Sequence, residues 1–372
     1  MGVSTRAMAE SAALSGYAVW SLDAFGDLDQ HPGVRAVSLP RDVGVPFTVE
    51  AVVRAAESIE VDAVAYLSPF ENHPAAVERL ARGRTLLGNG ASVLRSVREP
   101  GTISRAARVS NPDRWLVKPR ASGGGHGIDW WSPGTPVPAG SHVEPFIDGE
   151  PGSIVFVAAG RDLIPLGLTR QLVGDAPFGA TGFRYCGSIL HVIPSRQARD
   201  RDRTERELCQ LLDSALAVAR GVVAEFDLVG VNCIDFIARD GIAIPIEINP
   251  RWSASMELVE RAHAVSVFGM HAAACARGEL PTLDLALAHT GTAVSGKAIL
   301  FARHDITCGD TTAWLGDDSV RDVPHPGERI PAGRPVCTVF AMAADPDTCY
   351  AGLVARANRV YETLESWASV PA

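Results

Sequence analysis

The sequence predicts a protein of several packed modules with mixed α/β and α+β architecture, and three observations support this fold class. The chain has 372 residues, more than one ordinary hydrophobic core organises, so two or three modules are expected. Helical and extended patterns alternate over the first hundred residues, as in an α/β unit with a parallel sheet. From Trp115 onwards, strand patterns instead follow one another directly across glycine-rich turns, which is typical of an α+β region.

The predicted N-terminal α/β unit lacks one customary element. Apolar spacing of 3.6 residues indicates helices, and short apolar runs indicate strands. The predicted helices are Thr5–Ser15, Thr48–Glu60 and Pro74–Ala81. The predicted strands are Tyr17–Leu22 and Asp62–Leu67. Such units usually open with an apolar strand, yet Met1 runs directly into Gly2–Val3–Ser4. Either the sheet lacks that strand or the natural product begins upstream, and the sequence leaves both interpretations open.

The rest of the chain is predicted to be rich in strands, with two helical regions and a closing helix. The extended segments are Trp115–Pro119, Val143–Ile147, Ser153–Ala158, Asp162–Leu168, Val231–Ala238, Ile242–Ile248, Gly296–Ala302 and Pro335–Met342. The helical segments are Thr204–Ala224, Ser255–His263, Ser266–Ala276 and Thr348–Trp367. Asp240–Gly241 is a strong signal for a tight turn, so the two strands around it are expected to form a hairpin.

Bulk composition excludes several classes of protein. Asp and Glu total 43 against 34 Lys and Arg, a net charge of −9, which argues against a nucleic-acid partner. The seven cysteines include no C-x-x-C pair, so a zinc ribbon or a secreted disulfide framework is not expected. The longest apolar stretch, Ala264–Ala276, is broken by Gly269 and His271 and is too short to span a bilayer. We therefore expect a soluble, cytoplasmic protein with no membrane partner.

A glycine-rich turn follows the predicted strand that ends at Lys118 and Pro119. Four glycines fall within the five positions 123–127, which lets backbone N–H groups crowd around an anion without Cβ clashes. No Lys-Ser/Thr pair follows, as a Walker A loop would require, and the next segment is a strand, unlike a Rossmann fingerprint. The turn is either a phosphate-binding hairpin or a solvent-exposed hairpin without a ligand.

Acidic residues lie on both strands of the predicted hairpin. Asp235 is on the first strand, and Glu247 and Asn249 share one face of the second. Two carboxylates and an amide oxygen form a set of hard oxygen ligands suited to Mg²⁺. Arg251 follows two residues later, with a planar fork able to bind a phosphate or a carboxylate. The alternative is a structural Arg–Glu ion pair at a strand end.

Together, and in this order, these segments resemble the ATP-grasp superfamily, over roughly residues 90–265. The segments that carry the resemblance are Leu116–Pro119, Ser122–Gly127, Val143–Glu150, Asp235 and Glu247–Arg251. The branch that contains biotin carboxylase and carbamoyl-phosphate synthetase is the most similar, because it also places a small α/β domain first. The resemblance implies a pre-ATP-grasp domain (residues 1–98), a lid (99–160), a central catalytic subdomain (161–285) and a β-rich C-terminal unit (286–372).

The resemblance also implies roles for individual residues. Lys118 and the lid residues Ser122, Gly123, Gly124, Gly125 and His126 would hold the phosphates of ATP, although His126 fits an exposed turn equally well. The hinge residues Glu144, Phe146 and Ile147 would face the adenine, and Glu150 the ribose. Asp235, Glu247 and Asn249 would bind one or two Mg²⁺ (or Mn²⁺) ions. Family members often carry a further basic residue at the start of the lid, for which only Arg105 and Arg108 are available here.

The implied activity is ADP-forming ligation of a small carboxylate to an amine through an acyl phosphate. Lys118 and Arg251 would offset phosphate charge, and Arg184 would bind a substrate carboxylate, unless it is a solvated residue of an edge strand. The ligases that add amino acids during cofactor assembly, such as tyramine–glutamate ligase, are the nearest relatives that the resemblance suggests. A carboxylase that activates bicarbonate and a non-catalytic ATP-binding subunit are the alternatives. A homodimer is the expected assembly, since ATP-grasp relatives are often dimers.

Overall fold

A computed structural model of the chain describes residues 1–99, 114–193, 203–283 and 293–368. The N-terminal unit contains four strands and four α-helices, two strands and one helix more than the sequence predicts. The strands are β1 (Val19–Asp23), β2 (Val34–Ser38), β3 (Ala63–Ala65) and β4 (Thr85–Leu87), and the helices are α1 (Arg6–Leu14), α2 (Val49–Glu57), α3 (Pro74–Leu80) and α4 (Ala91–Val97). Both strand pairs, β1 with β2 and β3 with β4, are parallel, as predicted, but they form two separate sheets.

Met1 to Val3 lie between these two sheets. The Met1 amino group donates to the carbonyl of Ala65, and the Leu67 N–H donates to the carbonyl of Met1. The Gly2 N–H donates across the gap to the carbonyl of Leu22, just before the end of β1. The first residues of the chain therefore contact both sheets at the carboxyl ends of β1 and β3.

The glycine-rich turn lies in a small antiparallel sheet of its own. This lid sheet has the order β6–β5–β7, with β5 at Trp115–Pro119, β6 at Asp129–Trp131 and β7 at Ser141–Pro145. Residues 120–128 connect β5 to β6, so the predicted hairpin geometry of the turn is confirmed. Gly124, Gly125 and Gly127 all have positive φ angles, of 62°, 74° and 75°, which explains why glycine is needed there.

An eight-stranded antiparallel sheet forms the platform beneath the lid. Its order is β12–β11–β8–β9–β10–β13–β17–β15. These strands are β8 (Glu150–Ala159), β9 (Asp162–Val173), β10 (Tyr185–Leu190), β11 (Gly230–Arg239), β12 (Ile242–Asn249), β13 (Val294–Phe301), β15 (Val320–Arg321) and β17 (Pro335–Ala343). The turn between β11 and β12 has φ angles of 53° at Asp240 and 74° at Gly241, which confirms the predicted tight hairpin.

This continuous sheet extends across two of the predicted domain boundaries. β10 pairs with β13, so the boundary between residues 285 and 286 divides one sheet rather than two units. β8 pairs with β11 and β9 in the platform, although it falls within residues 99–160, the predicted lid. Sequence periodicity finds the strands but not their partners, because pairing between distant strands leaves no local signal.

Helices cover both faces of the platform. They are α5 (Arg203–Phe226), α6 (Ser255–His263), α7 (Val267–Arg277) and α8 (Pro346–Ala368), and a two-stranded sheet of β14 (Ile306–Thr307) and β16 (Arg329–Ile330) completes the chain. The N-terminus of α7 is capped by Ser266, whose Oγ accepts the Gly269 N–H at 2.9 Å. Among the described residues, no helix combines the length and apolar character needed to cross a bilayer.

Candidate active site

A cavity of about 430 Å³ lies between the lid sheet and the platform. The hinge segment 144–149 and the β11–β12 hairpin line it, together with the lid turn and the start of α6. Most of the predicted site residues are in its wall: Lys118, Gly124, Gly125, Glu144, Phe146, Ile147, Asp235, Glu247, Asn249 and Arg251. Residues from the lid, hinge and hairpin, distant in the sequence, are thus brought together at one cleft.

The acid-bearing hairpin places its polar residues in register. Asp235 is paired with Glu247, and Cys233 with Asn249. Asn249 Nδ2 donates to Asp235 Oδ2 at 2.9 Å, and Gln171 Nε2 donates to Asp235 Oδ1 at 2.7 Å. Burial, together with the neighbouring Glu247 carboxylate, raises the pKa of Asp235 to about 7. The hairpin therefore holds the Glu247 carboxylate close enough to disfavour the charged form of Asp235.

This arrangement fits a hard divalent cation. No group of three His, Cys, Asp or Glu side chains suited to a metal ion occurs within the described part of the chain, so a cation here would use two carboxylates and an amide oxygen. Mg²⁺ is commonly bound through one or two carboxylates, with water and phosphate oxygens as its other ligands.

Arg251 is fixed in the cleft by a carboxylate from the N-terminal unit. Its Nε donates to Glu71 Oε1 at 2.8 Å, and its Nη2 lies 2.7 Å from the same oxygen. Nη2 also donates to Asn249 Oδ1 at 3.0 Å, which ties the guanidinium to the acid-bearing hairpin. Burial acts to raise the pKa of Glu71, but the Arg251 guanidinium more than offsets this effect and keeps that pKa below its ordinary value.

A second guanidinium, that of Arg98, lies beside the same carboxylates. Its Nη1 is 3.5 Å from Glu247 Oε1, and its Nη2 is 3.9 Å from Glu71 Oε1. Nε and Nη2 are buried and make no hydrogen bond to the residues that the structure describes. Arg105 and Arg108, which the sequence suggests for the basic residue at the start of the lid, lie outside the described residues.

The glycine-rich turn of the lid contacts the segment Phe183–Tyr185 at the edge of the cleft. The Tyr185 N–H, at the start of β10, donates to the carbonyl of Gly124 at 3.0 Å. A Cβ atom on Gly125 would lie 1.7 Å from the carbonyl oxygen of Phe183, so the close approach requires glycine at this position. Lys118 forms an ion pair with Glu144 from the next strand of the lid sheet. This pair places the predicted phosphate ligand beside the predicted hinge.

Several predicted residues lie outside the cavity wall. Glu150 is exposed at the start of β8, His126 is exposed in the lid turn, and Ser122 and Gly123 lie in the turn without lining the cavity. Arg184 turns towards the C-terminal strands, where its Nη1 donates to the carbonyl of Gly333 and its guanidinium stacks on Phe301 at 4.9 Å. The structure thus does not support a substrate contact for Arg184 or a ribose contact for Glu150.

Sequence reasoning missed three residues that the fold brings to the site. Glu71 and Arg98 belong to the N-terminal unit, and Gln171 is on β9. None of them stands in a motif, so only their tertiary contacts identify them.

Comparisons with known proteins agree with this geometry. Residues 92–255 match a family described as the ATP-grasp domain. No curated protein matches the chain significantly in a sequence search. Among solved structures, N5-carboxyaminoimidazole ribonucleotide synthetase from Thermus thermophilus is similar at a TM-score of 0.60 and 19% identity, with 96% of each chain covered.

Two further structures share the fold at low identity. Biotin carboxylase from Campylobacter jejuni has a TM-score of 0.61 at 13% identity and covers 93% of this chain and 86% of its own. An L-amino acid ligase from Bacillus licheniformis has a TM-score of 0.59 at 14% identity, covering 95% and 94%. The chain therefore has the ATP-grasp fold, as its motifs predict, and residues 92–255 match the ATP-grasp domain family.

Proposed function

We propose that the chain is an ADP-forming carboxylate–amine ligase. The observation that supports this most is the convergence of Asp235, Glu247 and Asn249 with Arg251 and Lys118 on one cleft beneath a glycine-rich lid. In the proposed reaction, a carboxylate oxygen of the substrate attacks the γ-phosphorus of ATP, and ADP leaves. An amine then attacks the acyl carbon, phosphate leaves, and the amine nitrogen loses a proton to form an amide.

The proposed roles follow from the positions of the side chains. Asp235, Glu247 and Asn249 would hold Mg²⁺, which when bound neutralises phosphate charge. Arg251 lies on the same hairpin, and its guanidinium would stabilise the negative charge that develops on the transferred phosphoryl group. Lys118 would exchange its ion pair with Glu144 for a phosphate oxygen. The lid turn around Gly124 and Gly125 would exclude water, which would otherwise hydrolyse the acyl phosphate.

The identity of the substrates is a finer proposal. Two of the similar structures are named as an L-amino acid ligase and a carboxyaminoimidazole ribonucleotide synthetase, which favours a small-molecule substrate. Within this class we retain the prediction of a ligase in cofactor biosynthesis, akin to tyramine–glutamate ligase, acting in the cytoplasm as a homodimer. Because the fold of biotin carboxylase is also similar, bicarbonate is the second candidate for the activated carboxylate.

Phosphate release from Mg-ATP tests the proposal. The chain is incubated with pooled amino acids, small carboxylates and amines, and separately with bicarbonate. Release that requires one carboxylate and one amine together is the expected result, and mass spectrometry of the product then identifies both. Release with bicarbonate alone would favour the carboxylase. Binding of ATP without release in any pool would favour the non-catalytic alternative.

We expect Gly125→Ala to raise the KM for ATP by roughly tenfold or more, because the new Cβ must push the lid away from Phe183. Gly124→Ala is the matched control: its φ of 62° is also positive, but a Cβ atom at this position would have no other atom within 4 Å. Both substitutions therefore carry similar backbone strain, and only the first displaces the lid. Equal KM values for the two variants would contradict the role of this close approach.

Glu71→Gln is expected to lower kcat by roughly 10- to 100-fold, because Glu71 positions Arg251 without lining the cavity itself. The KM for ATP is expected to change much less, since Lys118 and the lid are untouched. Glu78→Gln, which alters an exposed ion pair with Arg95, serves as the control. An equal loss of activity in both variants, or a loss that follows the unfolded fraction alone, would contradict a positioning role.

A further inference from the structure

A cluster of three aromatic rings joins the lid to the platform beside the cleft. Trp130 is on β6 of the lid sheet, Phe146 is in the hinge, and Phe183 is in the loop between β9 and β10 of the platform. The ring centroid of Trp130 lies 4.9 Å from that of Phe146 and 5.3 Å from that of Phe183. The rings of Phe146 and Phe183 are 6.3 Å apart. These distances are typical of favourable tilted and edge-to-face pairs. We call this cluster the aromatic clasp.

Two rings of the aromatic clasp are held in place within the lid and the hinge. The Arg114 guanidinium lies 4.3 Å from the ring centroid of Phe146 and 5.1 Å from that of Trp130, which are cation–π distances. Arg114 also forms an ion pair with Asp148 in the hinge. Trp130 remains 49% exposed although it packs against the platform. Its ring can therefore leave the platform without unpacking a hydrophobic core.

The third ring of the clasp belongs to a loop that is anchored to the C-terminal part of the chain. We call this loop, residues 174–184, the bracket. Phe178 in the bracket is fully buried and packs against Tyr350 of α8, with ring centroids 5.8 Å apart. The guanidinium of Arg184, at the end of the bracket, stacks on Phe301 at 4.9 Å. The bracket therefore gives the clasp a fixed point on the platform.

The clasp and the glycine-rich turn hold the lid at two separate places. Movement of the lid away from the platform separates the ring of Trp130 from that of Phe183. The hydrogen bond from the Tyr185 N–H to the carbonyl of Gly124 breaks in the same movement. Phe183 also lines the cavity beneath the lid. Enclosure of a molecule in this cavity therefore depends on the contacts of the clasp.

We propose that Phe183 is a positioning residue that holds the lid shut and so limits the rate at which a nucleotide leaves the cleft. This rests on the proposed use of ATP by the same cleft. Phe183 takes no part in the chemistry, but a lid that stays shut for longer shields the acyl phosphate from water for longer. Arg184, for which the sequence suggests a substrate carboxylate, acts instead as an anchor of the bracket.

Stopped-flow release of the fluorescent nucleotide mant-ADP, bound with Mg²⁺ and displaced by excess ADP, tests the proposal. Phe183→Leu keeps an apolar side chain but removes the aromatic ring, and we expect it to speed release by roughly three- to tenfold. Trp131→Phe is the matched control, because Trp131 is on the same strand but its ring packs against Trp115 within the lid sheet. We expect the control to leave the release rate unchanged.

A double-mutant cycle tests whether the two rings act as a pair. Trp130→Leu alone is expected to speed release as much as Phe183→Leu does, and the double variant little more, because each substitution removes the same contact. Hydrogen exchange of the peptide that contains the Tyr185 amide, measured by mass spectrometry, is a second readout that needs no nucleotide. We expect this exchange to be faster in both single variants, because the lid parts from the platform more often.

Several results would overturn the proposal. Unchanged release and unchanged exchange in Phe183→Leu would show that the clasp does not hold the lid. Independent, additive effects of the two leucine substitutions would show that the rings do not act as a pair. Equal acceleration by Trp131→Phe would assign the effect to the lid sheet as a whole. Failure of the parent chain to bind mant-ADP would contradict the proposed use of ATP, and with it the limit on nucleotide release. Faster exchange at Tyr185 in Phe183→Leu would then still support a clasp that holds the lid.

Discussion

An Asp235→Asn chain is expected to lose roughly 10²- to 10³-fold in kcat while it remains as stable as the parent chain. Asp235 accepts hydrogen bonds from both Gln171 and Asn249. An asparagine at position 235 can accept only one of these two bonds, because its amide nitrogen is a donor. It also lacks the negative charge that the bound cation needs. Stability is preserved because the substitution also removes the repulsion between Asp235 and Glu247 in the cation-free protein. Phosphate release and thermal melting of the same preparation measure the two effects.

The exposed Asp162→Asn change at the start of β9 is the matched control, with full activity expected. This comparison separates the two interpretations of the acid-bearing hairpin. If the hydrogen bonds of Asp235 were purely structural, the Asp235 variant would be less stable, with little direct effect on turnover. A cation site would instead make it less active at unchanged stability. An active but destabilised variant would therefore contradict the proposed site.

Replacement of Arg6 by methionine is expected to lower the free energy of unfolding by about 3–5 kcal/mol. Arg6 is fully buried, and its guanidinium is within 4 Å of Glu257, Asp322 and Asp29, from three different parts of the chain. Methionine has a similar apolar stem but leaves these carboxylates without their central cation. Chemical denaturation at neutral pH measures the loss. Arg54→Met, which breaks an exposed pair with Glu50, is expected to change stability by less than about 1 kcal/mol.

The destabilisation by Arg6→Met is expected to shrink in acid. Burial acts to raise the pKa of Glu257, but Arg6 and Lys297 outweigh it and lower that pKa far below its ordinary value of 4.5. In the parent chain, the stabilisation from Glu257 is thus fully present above about pH 4.5 and is lost as the pH falls towards the lowered pKa. In the variant, protonation of the unpaired carboxylates in acid removes the free-energy cost of burying their negative charges. A destabilisation that stays constant from pH 7 to pH 4 would contradict this explanation.

Much of the fold could be predicted from local sequence. The strand at Trp115–Pro119 and the helix at Ser255–His263 agree with their predicted bounds to the residue, because apolar periodicity and turn residues mark them directly. The Asp-Gly turn also indicates the register next to it, where Arg239 pairs with Ile242. A bulge after Asp235 then shifts the pairing by one residue, so that Asp235 lies opposite Glu247 rather than Ile246. These features depend on neighbours in the sequence, which is why a single chain suffices to find them.

The remaining features depend on contacts between distant segments. Glu71 reaches Arg251 across 180 positions of the sequence, and no local pattern marks it as a partner. The Arg184 side chain points towards Gly333 and Phe301, which its guanidinium contacts. The local sequence around Arg184 does not indicate either contact. The pairing of β10 with β13 likewise joins segments that local patterns assign to different units. Tertiary structure is needed for each of these.

Because the lid sheet and the platform are separate sheets, the free energy needed to open the cleft depends on the few contacts between them. Among the described residues, no strand of the β6–β5–β7 sheet is hydrogen-bonded to a strand of the eight-stranded sheet. The backbone link at the glycine-rich turn is the Tyr185–Gly124 hydrogen bond, a net contribution of about 0.5–1.5 kcal/mol. Thermal energy is enough to break such a bond often, so the lid can part from the platform at this turn while every ladder in both sheets stays intact.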